Sequence, residues 1–126
     1  MKRVLTITGI LLIILICSVL GIQHISKTNL QMNQYLENTI SYLSSENYTQ
    51  ALEEIESAKK LWEKSGSFIN TYVNHETVDV IEENLVRLSA NIHNRQATPS
   101  LVLIEAIQFE LNHIYECELP TLKNIF

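Results

Sequence analysis

The feature that most restricts the fold is the run from Val4 to Ile22, VLTITGILLIILICSVLGI, which carries no charged side chain. As an α-helix rising 1.5 Å per residue, this run is roughly 28 Å long, close to the ~30 Å hydrocarbon thickness of a bilayer. An isolated apolar segment satisfies its backbone groups in lipid only as a helix. We therefore expect residues 4–22 to contact membrane lipid as a single transmembrane helix, within an anchor of residues 1–25.

The charges around this run indicate its orientation. Lys2 and Arg3 precede it, and only Lys27 follows closely. Because basic residues favour the cytoplasmic side, we expect a single pass through the cell membrane, a cytoplasmic N-terminus and an extracytoplasmic domain over residues 26–126. A cleaved signal peptide has the same basic start, and a cut after Gly21 is chemically tolerable. The run exceeds the usual signal core of roughly 7–15 residues, which favours the anchor and leaves cleavage as the alternative.

Beyond the apolar run, hydrophobic residues recur at spacings of three, four or seven, as on one face of a helix. The pattern predicts four amphipathic helices over residues 25–43, 48–73, 78–92 and 101–114. No glycine or proline separates the first helix from the apolar run, so the two can be continuous. Four helices joined by short turns bury their stripes economically as an antiparallel four-helix bundle of two helical hairpins. No stretch alternates with period two, so we expect an all-α fold.

Signals for helix ends accompany this pattern. Residues suited to cap the second, third and fourth helices are Asn47 or Ser45, Asn74, and Thr98. Pro99 would then occupy the first position of the last helix, where its missing N–H costs nothing. Gly66 leaves two alternatives, because it either ends the second helix or lies inside it. Apolar residues continue on the same stripe beyond it, which favours one helix to about residue 73.

The charge balance bears on the class of partner. Beyond residue 26 the chain carries seven Lys and Arg against all 14 acids, a net charge of −7. So acidic a domain repels phosphate backbones and anionic lipid headgroups on average, and we expect no nucleic-acid partner. Glu56–Lys60 and Glu83–Arg87 have the spacing of i,i+4 ion pairs. No spacing indicates a catalytic triad or a glycine-rich phosphate loop, so we expect a protein that is not an enzyme and has no cofactor.

One short motif raises the question of a metal. His75-Glu76-x-x-Asp79 begins like the His-Glu-x-x-His helix of zinc proteases but has an aspartate where the second histidine belongs. Positions 75 and 79 share a helix face, and His113 could add a ligand, although a closed zinc site needs about four. The alternative is that Asn74 caps the helix and the acids interact favourably with its N-terminal dipole. Capping is the favoured interpretation.

The most aromatic stretch contains Trp62, Phe68 and Tyr72. Core packing is the default role for such residues at helical spacing. If part of the patch is exposed, it suits a protein–protein contact, because aromatic side chains are enriched at interface centres. These three residues are therefore the candidates for partner binding. Cys117 lies far along the chain from Cys17, and we expect an unpaired thiol.

Two resemblances follow from these segments. ENYTQALEEIESAKKLWEK resembles the second helix of a tetratricopeptide repeat with its lead-in. The positions that match its aromatic and small residues are Tyr35, Tyr42, Ala51, Ile55 and Ala58. No second copy follows, whereas repeat folds need about three units to bury a continuous core.

The second resemblance covers nearly the whole chain. The basic and apolar start, ALEEIESAKKLWEKSGSFI, NHETVDVIEENLVRL and HIYECELPTLKNIF together resemble the domain-of-unknown-function family 4363, small bacterial membrane-anchored helical proteins. Residues that depart from the family pattern are Gly66 and Cys117. The resemblance implies a bacterial origin and the same topology, and it supplies no activity or site. Members are encoded near small multi-span membrane proteins, which implies a membrane-protein partner.

The sequence thus leads to one hypothesis and one alternative. The hypothesis is a non-enzymatic, membrane-anchored extracytoplasmic protein that acts as an interaction or accessory module of a membrane complex. The alternative is an exported metal-binding protein that uses His75, Glu76 and Asp79, with His113. The oligomeric state and the biological process do not follow from the residues.

Overall fold

The structure, a computed structural model, describes the backbone of residues 1–118 and side chains through Glu116. It is all-α. Four helices, α1 (Lys2–Ser44), α2 (Tyr48–Ile69), α3 (His75–His93) and α4 (Ala97–His113), are followed by a π-helical turn, Ile114–Glu118. Helices α1 and α2 pack as one hairpin and α3 and α4 as another, while α2 contacts α3 and α1 contacts α4. The side chain of Cys117 and the segment Asn124-Ile125-Phe126 lie outside the described part.

Helix α1 is unbroken over 43 residues, about 64 Å at 1.5 Å per residue. Within the described residues it is the one helix long and apolar enough to cross a membrane, and only 6% of its most apolar window is buried. A core helix of a soluble protein would be mostly buried, whereas an anchor and a signal sequence both fit this composition. The predicted continuity is confirmed, and the boundary predicted after residue 25 falls inside α1.

Beyond the apolar run, α1 buries one stripe against the other helices. Its buried residues follow steps of three and four: Gly21, Ile25, Thr28, Met32, Leu36, Thr39 and Leu43. The facing residues of α2 are Ala51, Ile55, Ala58, Trp62, Ser65 and Ile69. The predicted stripe of α3 is confirmed, with Val78, Ile81, Leu85, Leu88 and Ile92 all buried. One core therefore fills the space between the two hairpins.

Both hairpin turns use the same backbone device. After α1, Glu46 adopts φ 57°, its amide donates to the Leu43 carbonyl, and the next amide, of Asn47, donates to Tyr42. After α3, Arg95 adopts φ 57°, and the matching bonds run from Arg95 to Ile92 and from Gln96 to Asn91. These are Schellman motifs, which satisfy orphan carbonyls at a helix end. Here they reverse the chain without glycine.

The helix starts are partly as predicted. Asn47 caps α2, since its Oδ1 accepts from the Gln50 amide, and Asn74 caps α3 in the same way from the Glu76 amide. Thr98 was predicted to cap α4, and this is wrong: the helix begins at Ala97 after Gln96. After the Schellman turn at Arg95, the chain enters the helix at Ala97, one residue before Thr98. Pro99 therefore occupies the third helical position, where its nitrogen is still among the groups without an intrahelical acceptor.

Gly66 does not end α2. The helix passes through it to Ile69, and the Gly66 carbonyl accepts from the Asn70 amide at 2.9 Å. The predicted end near residue 73 is about one turn late. The amides of residues 71–73 donate to carbonyls three or four residues earlier, so helix-like hydrogen bonds continue beyond α2 until Asn74 caps α3.

Candidate functional site

The structure leaves the metal motif at the start of α3 as a capped helix end. Asn74 Oδ1 accepts from the Glu76 amide at 3.1 Å, while His75, Glu76 and Asp79 are exposed. His113 is exposed at the end of α4. Among the side chains that the structure describes, those of residues 1–116, no group of three or more His, Cys, Asp and Glu is placed to hold a metal ion. The capping interpretation is confirmed for Asn74.

The three aromatic candidates differ in how far they are exposed. Trp62 lies in the core at 2% exposure, and its indole Nε1–H finds no hydrogen-bond acceptor among the described residues. Phe68 and Tyr72 are exposed at the end of α2. Their rings lie 5.2 Å apart, and the Phe68 ring meets the His24 ring of α1 edge-on at 4.8 Å. Trp62 therefore faces the interior, and only Phe68 and Tyr72 offer surface to another molecule.

Gly21 permits the closest approach between α1 and the end of α2. A Cβ at this position would lie 3.0 Å from Cζ and from the hydroxyl of Tyr72. Gly21 is also the last residue but one of the apolar run. Phe68 near the end of α2 and Tyr72 in the turn after it are thus packed against α1 where the apolar run ends.

Apolar side chains that the sequence pattern did not single out lie on the outside of the domain. Val102 and Phe109 are 61% and 68% exposed and occupy one face of α4, seven residues apart. A signal was present: Leu101-Val102-Leu103-Ile104 places four apolar residues on consecutive positions, and a helix cannot bury all four on one side. Leu101, predicted to be buried, is in fact partly exposed.

A groove runs beside α1 where it emerges from the apolar run. It has a volume of about 590 Å³ and lies between the Ile22, Ser26 and Leu30 side of α1 and Tyr115 of the π-helical turn. Leu30 is 64% exposed and Tyr115 is also exposed. The groove is mainly apolar and begins at the last residue of the apolar run, so it opens where a membrane surface would lie.

The predicted ion pairs differ in outcome. Arg87 and Glu83 lie 2.6 Å apart, as predicted. Glu56 does not pair with Lys60; it accepts from Ser89 Oγ at 2.7 Å and from Lys59 Nζ at 3.1 Å. The Ser89 hydrogen bond, then the Lys59 contacts, lower the pKa of the Glu56 carboxyl. The cluster joins α2 to α3 and is a structural link between the two hairpins.

These observations define a class of protein: an all-α chain in which four helices pack as hairpins and the first extends as a long apolar N-terminal segment. The chain belongs to the family described as Domain of unknown function (DUF4363), whose sequence model matches residues 19–125. The resemblance stated from the sequence is therefore confirmed. Comparison with curated proteins and with solved structures gave no match.

Proposed function

We propose that residues 4–22 cross the cell membrane once, with the N-terminus in the cytoplasm, and that the rest is an extracytoplasmic antiparallel four-helix bundle. This protein is a non-enzymatic module that binds a membrane-protein partner beside its own membrane helix. The basic start of the chain, the exposed apolar run and the scarcity of Lys and Arg just beyond it support the topology. No observation on the described residues favours the metal-binding alternative.

The groove beside α1 is the observation that carries the partner proposal. The α1 wall of the groove is formed by Ile22, Ser26 and Leu30, and this stripe extends into the apolar run to Ser18, one turn earlier. Small residues such as Ser18 and Ser26 let a second helix approach closely, as is common in membrane helix pairs. A helix that leaves the bilayer beside α1 would contact this stripe first in lipid and then in the groove.

The side chains that line the groove fit such an occupant. The stripe and Tyr115 supply apolar contact, while Asn29 and Asn33 of α1 add amides at the groove wall. Asn33 Nδ2 already donates to the Asn29 side chain at 2.9 Å, so these amides are held in place before a partner arrives. The arrangement resembles the apolar centre and polar rim of ordinary protein interfaces.

Photo-cross-linking in native membranes tests the proposal. A photoreactive phenylalanine analogue placed at position 30 should form an adduct with an integral membrane protein, and Leu30→Glu should prevent co-purification of that protein. The matched control is position 86, because Val86 is a similarly exposed aliphatic residue on α3, and no residue of α3 lines the groove.

Three outcomes decide the matter. An adduct at position 30 with another membrane protein, and none at position 86, supports the proposal. An adduct between two copies of this chain assigns the groove to self-association and contradicts a separate partner. Equal adducts at both positions, or none at position 30, also contradict it.

A further inference from the structure

A second cleft, with a volume of about 390 Å³, lies between α1 and α2, and Lys27 lines both this cleft and the groove. Its walls carry His24, Lys27 and Gln31 from α1 and Lys64 from α2. At its floor the hydroxyls of Thr28 and Ser65, both buried, lie 3.4 Å apart. Among the residues that the structure describes, no carboxylate lines the cleft. Two lysines, an imidazole, an amide and two hydroxyls thus line one space, with Leu61 of α2 as an apolar part of its wall.

This local charge runs against the average of the domain, whose net charge beyond residue 26 is −7. Lys27 and Lys64 are both exposed, and neither appears in the two ion pairs formed within the described residues, Lys59–Glu56 and Arg87–Glu83. The exposed acids nearest in sequence to the two lysines, Glu37 on α1 and Glu63 on α2, do not line the cleft. The average repulsion of anions therefore does not describe this place.

The height of the cleft above the apolar run follows from the rise of α1. His24 and Lys27 are two and five residues beyond Ile22, about 3 Å and 8 Å along the axis. A bilayer of about 40–45 Å with a hydrocarbon core of about 30 Å leaves roughly 5–8 Å of headgroup region on each side. The cleft therefore lies at headgroup level when residues 4–22 span the membrane.

Aromatic residues mark the same level independently. The Tyr72 ring packs at Gly21, at the hydrocarbon edge, and the Phe68 ring packs at His24, one turn higher. Both are exposed, and tyrosine is enriched at membrane–water interfaces, where its ring lies among lipid headgroups. The end of α2 is thus built to touch lipid, and the cleft opens just above it.

We propose that this cleft binds the phosphate of an anionic phospholipid headgroup, with Lys27 and Lys64 as the cationic contacts and Thr28 and Ser65 as the floor. The inference rests on the membrane span proposed above and not on the partner. Because lysine near an anionic surface contributes a factor of about five in affinity, removal of both should weaken binding about 30-fold.

Native mass spectrometry of the purified full-length chain in neutral detergent tests this, with titration of phosphatidylglycerol, phosphatidylcholine or inorganic phosphate. Phosphatidylglycerol should bind about tenfold tighter than phosphatidylcholine, because the choline ammonium offsets the phosphate charge that attracts the two lysines. Lys27→Gln/Lys64→Gln should raise the Kd for phosphatidylglycerol about 30-fold. The control, Arg87→Gln/Arg95→Gln, removes the same charge far from the cleft and should change the Kd less than about twofold.

Other results overturn the proposal. Equal affinity for both lipids, or equal loss in the two double variants, would mean that no specific headgroup site exists. If inorganic phosphate binds and phosphatidylglycerol does not, the cleft is a phosphate site and the assignment to a lipid is wrong. The lipid titration uses the purified chain without a partner, so a negative result there does not affect the partner proposal. A negative cross-linking result at position 30 likewise does not affect the lipid proposal.

Discussion

Trp62 joins a large apolar ring to an N–H that no described acceptor satisfies. An unpaired buried donor costs about 1–3 kcal/mol, whereas loss of a buried aromatic ring costs about 3–5 kcal/mol. We therefore expect Trp62→Phe to change the free energy of unfolding by no more than about 1 kcal/mol, and Trp62→Ala to lower it by about 3–5 kcal/mol. Denaturant unfolding of the full-length chain in detergent, followed by circular dichroism, measures both. If the two variants lose equally, the indole N–H is satisfied and this description of Trp62 is wrong.

Glu56 gives the domain a small dependence on pH. Its pKa is lowered in the folded state by the Ser89 hydroxyl and then by Lys59, so its contribution to stability is present above the unfolded carboxyl pKa of about 4.3 and is lost as pH falls through the folded pKa. The side chain is 43% exposed, which limits the effect to less than about 1 kcal/mol. Ser89→Ala should lower stability near pH 7 and make little difference near pH 3.

A serine that touches no carboxylate is the control for that experiment. Ser57 Oγ donates to the Glu53 backbone carbonyl at 2.9 Å, so Ser57→Ala should show the same small difference at both pH values. A Ser89→Ala effect of equal size near pH 7 and near pH 3 would contradict a role for Glu56 ionisation.

At the scale of elements, the two Schellman turns are the feature whose energy is easiest to change. Glu46 holds φ 57°, a conformation that costs roughly 1 kcal/mol for a residue with a Cβ and almost nothing for glycine. Glu46→Gly should therefore stabilise the chain by about 0.5–1 kcal/mol despite the flexibility of glycine when unfolded. Ser45→Gly, at φ −93°, should destabilise it. Thermal unfolding of the two variants distinguishes these effects, and the prediction fails if both variants shift the same way.

Gly21 of α1 and Gly66 of α2 provide a matched pair. Nothing lies within 4 Å of a Cβ placed at Gly66, so Gly66→Ala should stabilise α2 by about 1 kcal/mol. Gly21→Ala meets the Tyr72 ring at 3.0 Å and should gain less, because the ring must move. In a Tyr72→Ala background, Gly21→Ala should recover the full gain. A double-mutant cycle in detergent measures this coupling, and additive effects would show that Tyr72 does not rest on Gly21.

Element by element, the sequence predicted most where one apolar stripe decides the fold. The 3,4 spacing of α3 and its Asn74 cap are as expected, because each position there has one plausible face. The start of α4 was wrong because a preceding turn overrode the capping preference of Thr98. The outer face with Val102 and Phe109 was missed because α4 is apolar on both sides, and only the packing shows which side is buried. Trp62 was a partner candidate only if exposed, and its burial confirms core packing, the default role that its helical spacing indicated.

At the scale of the whole molecule, the unbroken α1 fixes the position of the helical domain relative to the apolar run. It has no turn between the apolar run and the helical domain, so the groove at Leu30 and the cleft at Lys27 are held at fixed heights above residue 22. A flexible linker between residue 22 and the helical domain would not fix these heights. Both proposals therefore depend on residues 4–22 remaining in the bilayer as part of the mature chain.

Cysteine labelling in intact cells, with the mass of the mature chain, measures this directly. In a Cys17→Ser/Cys117→Ser background, Asn94→Cys should react with a membrane-impermeant maleimide, and Lys2→Cys should react only after permeabilisation. The purified chain should retain the mass of the uncleaved apolar run. Labelling of Lys2→Cys from outside, protection of Asn94→Cys, or a mass that lacks the first 21 residues would contradict the account.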